Sequence, residues 1–166
     1  MKTQLDSLTD MFTQNLPKRA LLGFDSLIDE MQVVSAAREL GQEQYRMSII
    51  RYNALLSWER FPYRMCPPQL LIALLEAWLD ELASPVLEET GIANTDATWD
   101  VTVEDEETAT VVLTMPLADE LVIRPDPKGG IPYRGGRWSL VEPEILTALS
   151  ATVYGADEAG APVGES

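Results

Sequence analysis

Trp99-Asp100-Val101-Thr102-Val103-Glu104-Asp105-Glu106-Glu107-Thr108-Ala109-Thr110-Val111-Val112-Leu113-Thr114-Met115 is the stretch on which the fold turns. Trp99, Val101 and Val103 alternate with Asp100, Thr102 and Glu104. Beyond the acidic run, Ala109, Val111, Leu113 and Met115 alternate with Thr110 and Thr114. Successive strand side chains point to opposite faces, so this spacing predicts a hairpin with one apolar face and a turn at Asp105-Glu106-Glu107. An apolar sheet face needs a second layer to cover it.

The cover lies upstream. Leu71, Leu74, Leu75, Trp78 and Leu82 recur at helical spacing, with Glu76, Asp80 and Glu81 on the other face. Proline in the first helical turn suits a start near Pro67. Ser84-Pro85 stops this helix and opens a short further one to Glu89, closed by Thr90-Gly91. Leu5, Leu8, Met11, Phe12 and Leu16 mark a first helix that Pro17 ends. Residues 17–29 stay open: Leu21, Leu22, Leu27 and Ile28 fit a short helix, which Gly23 interrupts.

From about Gln32 the pattern turns extended, with Val33-Val34 opening it and a turn at Gly41. Tyr45, Met47 and Ile49 alternate, as do Tyr52, Ala54, Leu56 and Trp58, but the two sets are one residue out of phase. That predicts a bulge near Ile50-Arg51 or two separate strands. Residues 62–68 form a proline-rich connector. Downstream, Leu121 and Ile123 read as a third strand after the hairpin, residues 125–130 as a loop, and Arg134-Gly135-Gly136-Arg137 as a turn between strands. Residues 143–153 fit a last helix, and 155–166 a disordered tail.

The sum is one α+β domain over residues 1–154, with a mixed or mostly antiparallel sheet packed by two or three helices. A chain of 166 residues suits one core, and a domain of that size buries about 68–70% of its unfolded surface. No apolar run approaches the ~18 residues of a membrane span. The opening Met1-Lys2-Thr3-Gln4-Leu5-Asp6 lacks the layout of a secretory signal, so a cytosolic chain is expected.

Composition narrows the chemistry. The sequence has no histidine and one cysteine, Cys66. That removes the commonest general base and zinc ligand, any internal disulfide and any thiolate cage. Net charge is −15, from 27 acidic and 12 basic residues. Nucleic-acid backbone and anionic membranes repel such a surface, so neither is an expected partner. No cofactor or catalytic residue is assigned.

Three features of the sequence bear on binding. Glu104, Asp105, Glu106 and Glu107 gather four carboxylates, but without the ligand spacing and glycine of a calcium loop; a solvated hairpin tip fits better. Gly129-Gly130 and Gly135-Gly136 lack the Gly-Lys-Ser/Thr ending of a phosphate loop and read as turns. Arg124, Lys128, Arg134 and Arg137 place four of the twelve basic residues within fourteen positions. With Arg60, Tyr63 and Arg64 near the connector, they are the candidate contacts to a neighbouring copy or another protein.

The stretches Tyr52-Asn53-Ala54-Leu55-Leu56-Ser57-Trp58-Glu59-Arg60-Phe61 and Leu70-Leu71-Ile72-Ala73-Leu74-Leu75-Glu76-Ala77-Trp78-Leu79, with Pro68 between them, resemble the tail completion protein R family of P2-like phages with contractile tails. The acidic-tipped hairpin and Leu117-Ala118-Asp119-Glu120-Leu121-Val122-Ile123 extend that resemblance over residues 32–123. This chain departs from it in a longer connector and after Pro125. The resemblance implies a structural virion protein, not an enzyme, acting at the head-proximal end of tube and sheath. Proteins in that position look like tail terminators, commonly sixfold rings. Expected partners are further copies of the chain in a homo-oligomeric hexamer, tail tube and sheath proteins, and neck proteins. Assembly in the bacterial host cytoplasm is implied, and the acidic tip would line a bore and repel passing DNA. Two other classes stay open from the residues: an acidic cytosolic adaptor or inhibitor of a basic partner, and an enzyme built on two carboxylates and a metal.

Overall fold

The computed structural model describes residues 3–141. Helix α1 (Gln4–Asn15) leads through a single 3-10 turn into the hairpin β1 (Phe24–Gly41) and β2 (Gln44–Phe61). Helices α2 (Pro68–Glu81) and α3 (Pro85–Glu89) follow, then β3 (Thr98–Val103), β4 (Ala109–Pro125), β5 (Ile131–Tyr133) and β6 (Gly136–Leu140). The strands form one curled antiparallel sheet, ordered β1-β2-β4-β6-β5, with β3 also on β4. This is a single small α+β domain, with three helices among the described residues.

The alternation that predicted the hairpin is what builds the core. Tyr52, Ala54, Leu56 and Trp58 pair across with Leu117, Met115, Leu113 and Val111, and all eight are buried. Leu5, Leu8 and Phe12 of α1 and Leu71, Leu75 and Trp78 of α2 close over that cluster. Phe12 meets Trp58 edge-on at 4.9 Å, a preferred aromatic geometry. Leu82, predicted on the apolar face, is instead exposed, because α2 ends at Glu81 and Leu82 is its C-cap.

Three expectations are corrected. Residues 17–29 hold only the turn Lys18–Leu21, and Leu27 and Ile28 belong to β1, which starts eight residues before Gln32. Gly23 marks a close backbone approach rather than a helix break: a Cβ there would run into the Glu59 carbonyl, and Glu59 N–H donates to Gly23 O at 3.0 Å. Next, β2 is one unbroken strand of 18 residues. The irregularity foreseen at Ile50-Arg51 falls on the partner strand, where Glu30 and Met31 together face Tyr52 and Glu30 takes φ 54°. Against β4, β2 carries an extra residue at Met47 and another at Glu59-Arg60. Finally, Leu121 and Ile123 are no third strand. They continue β4, whose 17 residues stay paired with β2 from Ala109 to Ile123. The helix read at 143–153, the tail at 155–166 and the domain boundary at 154 lie outside the described residues.

Candidate functional site

The continuity of β4 places the two charged features at opposite ends of one strand. The acidic tip precedes Ala109 and the basic loop follows Pro125. At about 3.3 Å per residue they are separated by roughly 50 Å along the strand.

At the first end the structure joins what the sequence listed apart. The connector folds onto the hairpin tip: Tyr63 OH donates to Asp105 O at 3.1 Å, and Arg64 Nε donates to Glu106 O. The Arg64 guanidinium also lies 5.6 Å from the Tyr63 ring centre. Arg19 approaches Glu107 at 3.9 Å, and Arg60, exposed with φ 56°, shares an open groove with Arg19 and Thr108. Asp105 closes the turn by accepting from Glu107 N–H (2.8 Å), Thr108 N–H (2.7 Å) and the Thr108 hydroxyl (3.1 Å). The backbone donors, Glu107 first, hold its carboxyl below the usual range. Glu104 accepts from the Thr110 hydroxyl at 2.8 Å. The tip therefore carries its own cations.

At the second end the loop is held on an aromatic stack. Tyr45 and Tyr133 stack at 6.3 Å, and Arg134 lies 4.6 and 5.0 Å from their ring centres. Trp138 packs edge-on against Tyr133 and donates to its carbonyl at 2.8 Å. Arg137 Nε donates to Gly129 O at 3.0 Å, and Asp126 N–H to Arg137 O at 2.9 Å. Gly129 lies so close to the Trp138 carbonyl that a Cβ has no room. Arg134 and Arg137 are thus used within the loop, while Arg124 and Lys128 extend exposed from it.

Sequence reasoning missed the buried ionic centre. Arg46, only 2% exposed, donates to Glu89 at 2.7 and 3.0 Å, to Glu120 at 2.9 Å and to Ala36 O at 2.9 Å. The hydrogen bonds from Arg46 pull the Glu89 carboxyl down, and those from Glu89 push the Arg46 guanidinium up. One signal was present: Arg46 is in phase with the inward set Tyr52, Ala54, Leu56 and Trp58, and an inward arginine calls for carboxylates. Cys66 is buried, which pushes its thiol pKa up, away from reactivity. Among the described residues no three metal-ligating side chains gather, and no helix is long and apolar enough to cross a membrane.

Residues 2–143 match the family described as P2 phage tail completion protein R (GpR). The chain belongs to that family. The match runs past Pro125, where the resemblance had stopped, and so takes in the basic loop of this tail completion chain. The chain is also similar, at 25% identity over 149 residues, to a 19.2 kDa protein from the rep-hol intergenic region of Haemophilus phage HP1 (strain HP1c1). That alignment covers 89% of this chain and 87% of the relative. No solved structure matches. The family is a class of structural phage tail proteins rather than of enzymes.

Proposed function

We propose that this tail completion protein acts as a homo-oligomeric ring, of six copies, that ends tube and sheath growth at the head-proximal end of a contractile tail. The ring assembles in the host cytoplasm and remains in the virion, touching tube, sheath and neck proteins. The observation that carries this reading is the second end of β4. A loop locked by Tyr45, Tyr133 and Trp138 presents Arg124 and Lys128 to solvent, in a chain whose net charge is −15. A pre-ordered cationic projection on an acidic protein suits a contact with an acidic protein surface, because little freedom is lost when it docks.

Native mass spectrometry with negative-stain imaging, over a concentration series and with purified tail tubes added, tests the reading. Closed rings, free or on tube ends, are expected. A chain that stays monomeric throughout and ignores tube ends overturns it. The tip Glu104–Glu107 has a separate test. If it faces the bore, replacing those four residues with Ala slows DNA delivery from particles that still assemble; particles that fail to assemble sink the bore role. The adaptor reading loses ground because Arg19 and Arg64 already reach the densest acidic run.

A further inference from the structure

Several cations among the described residues are engaged on the chain's own surface. Arg46 is held by Glu89 and Glu120, Arg19 approaches Glu107, and Arg64 and Arg51 bind the carbonyls of Glu106 and Thr90. Arg124 and Lys128, like Lys18 and Arg60, have no partner on their head groups among the described residues, but they alone of these four share one ordered, cation-rich segment. The loop from Arg124 to Arg137 holds four cations against the single carboxylate Asp126.

A complementary surface exists elsewhere on the same chain. Between α2, α3 and the turn Asn94–Asp96 runs an open groove of about 850 Å³. Its floor includes Ala83, Leu87 and Ile92, and Glu76, Asp80 and Glu88 rim it. Those three carboxylates are exposed and, among the described residues, lack a cation. The acidic tip is the weaker match, because Arg19 and Arg64 already reach it. Groove and basic loop share no residue, and among the described residues no hydrogen bond or ion pair joins them, so the pairing is one between molecules.

We propose that the basic loop of one copy seats in the groove between α2 and α3 of the next. Arg124 and Lys128 lie against Glu76, Asp80 and Glu88, with Pro125 and Pro127 of the loop over the apolar floor. This rests on the ring reading and names its contact. Two different patches of one chain make a head-to-tail interface, which closes into a ring when the rotation fits and extends into a filament when it does not. Charge pairing at an exposed rim makes assembly weaken with salt. Nucleic acid is the poorer occupant, since the chain as a whole carries a net charge of −15.

The test is a charge exchange on the full chain. Arg124→Glu with Lys128→Glu makes one variant, and Glu76→Lys with Asp80→Lys the other; all four positions are exposed. Sedimentation velocity and native mass spectrometry at several salt concentrations are expected to show each variant about tenfold or more weaker in self-association. Mixed one to one, the variants are expected to co-assemble with alternating copies, because each loop then faces a groove of opposite sign. Rescue in the mixture also excludes misfolding as the cause of the loss. If both variants assemble like wild type, or the mixture is not rescued, the pairing is wrong while the ring reading stands. If wild type binds a duplex oligonucleotide through Arg124 and Lys128, the occupant is wrong. If wild type never assembles, even on tube ends, both readings fail together.

Discussion

The Tyr52 hydroxyl donates to Asp119 Oδ2 at 2.6 Å while accepting the Leu5 N–H at 3.2 Å. Asp119 Oδ1 takes the Gln4 N–H at 2.8 Å. A tyrosine of β2 and a carboxylate of β4 thus satisfy two first-turn donors of α1, and Thr3 with Asp6 completes the end as a capping box. The developing positive end of the helix sits over the carboxylate.

Tyr52→Phe removes one partner from each of two buried groups. Leaving buried polar atoms unpaired costs about 1–3 kcal/mol, so the midpoint of urea unfolding is expected to fall with the slope unchanged. Burial, the largest influence, raises the Asp119 pKa, and the Tyr52 hydrogen bond opposes it. A raised carboxyl binds its proton more tightly when folded, so its contribution to stability falls as pH rises through the folded-state pKa. Losing Tyr52 raises that pKa further. The deficit of the variant is therefore expected to shrink as pH drops below neutral, and a pH-independent deficit would exclude this linkage.

Arg46 and its carboxylates should respond asymmetrically. Glu89→Gln with Glu120→Gln leaves a buried guanidinium without a counter-charge. Both carboxylates are about a third exposed, so solvent screens them and the loss is expected to be clear but well below that of a fully buried pair. Arg46→Met leaves the Ala36 carbonyl and two carboxylates without their donor, but both carboxylates can turn to water, so it is expected to cost less than the double Gln variant. The pH sign is opposite to that of Asp119: Glu89 is held low, so its stabilisation is present above the ordinary glutamate range and fades as pH falls through the depressed value. Acid titrations of the wild type and Arg46→Met, followed by circular dichroism, read this difference.

The basic loop has a steric fulcrum. Gly129→Ala drives a Cβ into the Trp138 carbonyl, whereas the neighbouring Gly130 faces open space. Overpacking of this kind costs about 1–3 kcal/mol. A lower melting temperature for Gly129→Ala, with Gly130→Ala close to wild type, is the expected pair of results.

Tyr63→Phe loses the hydrogen bond to Asp105 O. It is expected to cost about 0.5–1.5 kcal/mol. Hydrogen exchange should speed up at the backbone amides of 105–108 and stay unchanged in α1 and α2. Unchanged exchange at the tip would show that Asp105's own turn holds it without the connector.

The readable parts of this fold were those governed by local period. The alternation from Trp99 to Met115 and the helical spacing of Leu71, Leu75 and Trp78 each reported which face met the core. The β1 start at Phe24 was not readable, because exposed Leu27, Ile28, Met31 and Val33 on an edge strand break the inside–outside rule. The site was half legible. Arg124, Lys128, Arg134 and Arg137 stood out by clustering, but their division into two engaged and two free cations depends on the Gly129 carbonyl and on Tyr45, almost ninety residues before Arg134 and on another strand.

The sequence by itself determined the class of the protein: no histidine, a large acidic excess, an amphipathic helix and an alternating hairpin, together with packing patterns that resemble one tail family. These are properties of composition and of neighbours a few residues apart, where side-chain direction follows backbone period. Only the tertiary structure decided that β4 is one strand with a charged feature at each end. It also set Arg64 against the acidic tip, Arg46 between Glu89 and Glu120, and Asp119 beneath α1. Such pairings are fixed by sheet register and helix docking, which bring residues 40 to 115 positions apart within hydrogen-bond reach and leave no periodic trace in the chain.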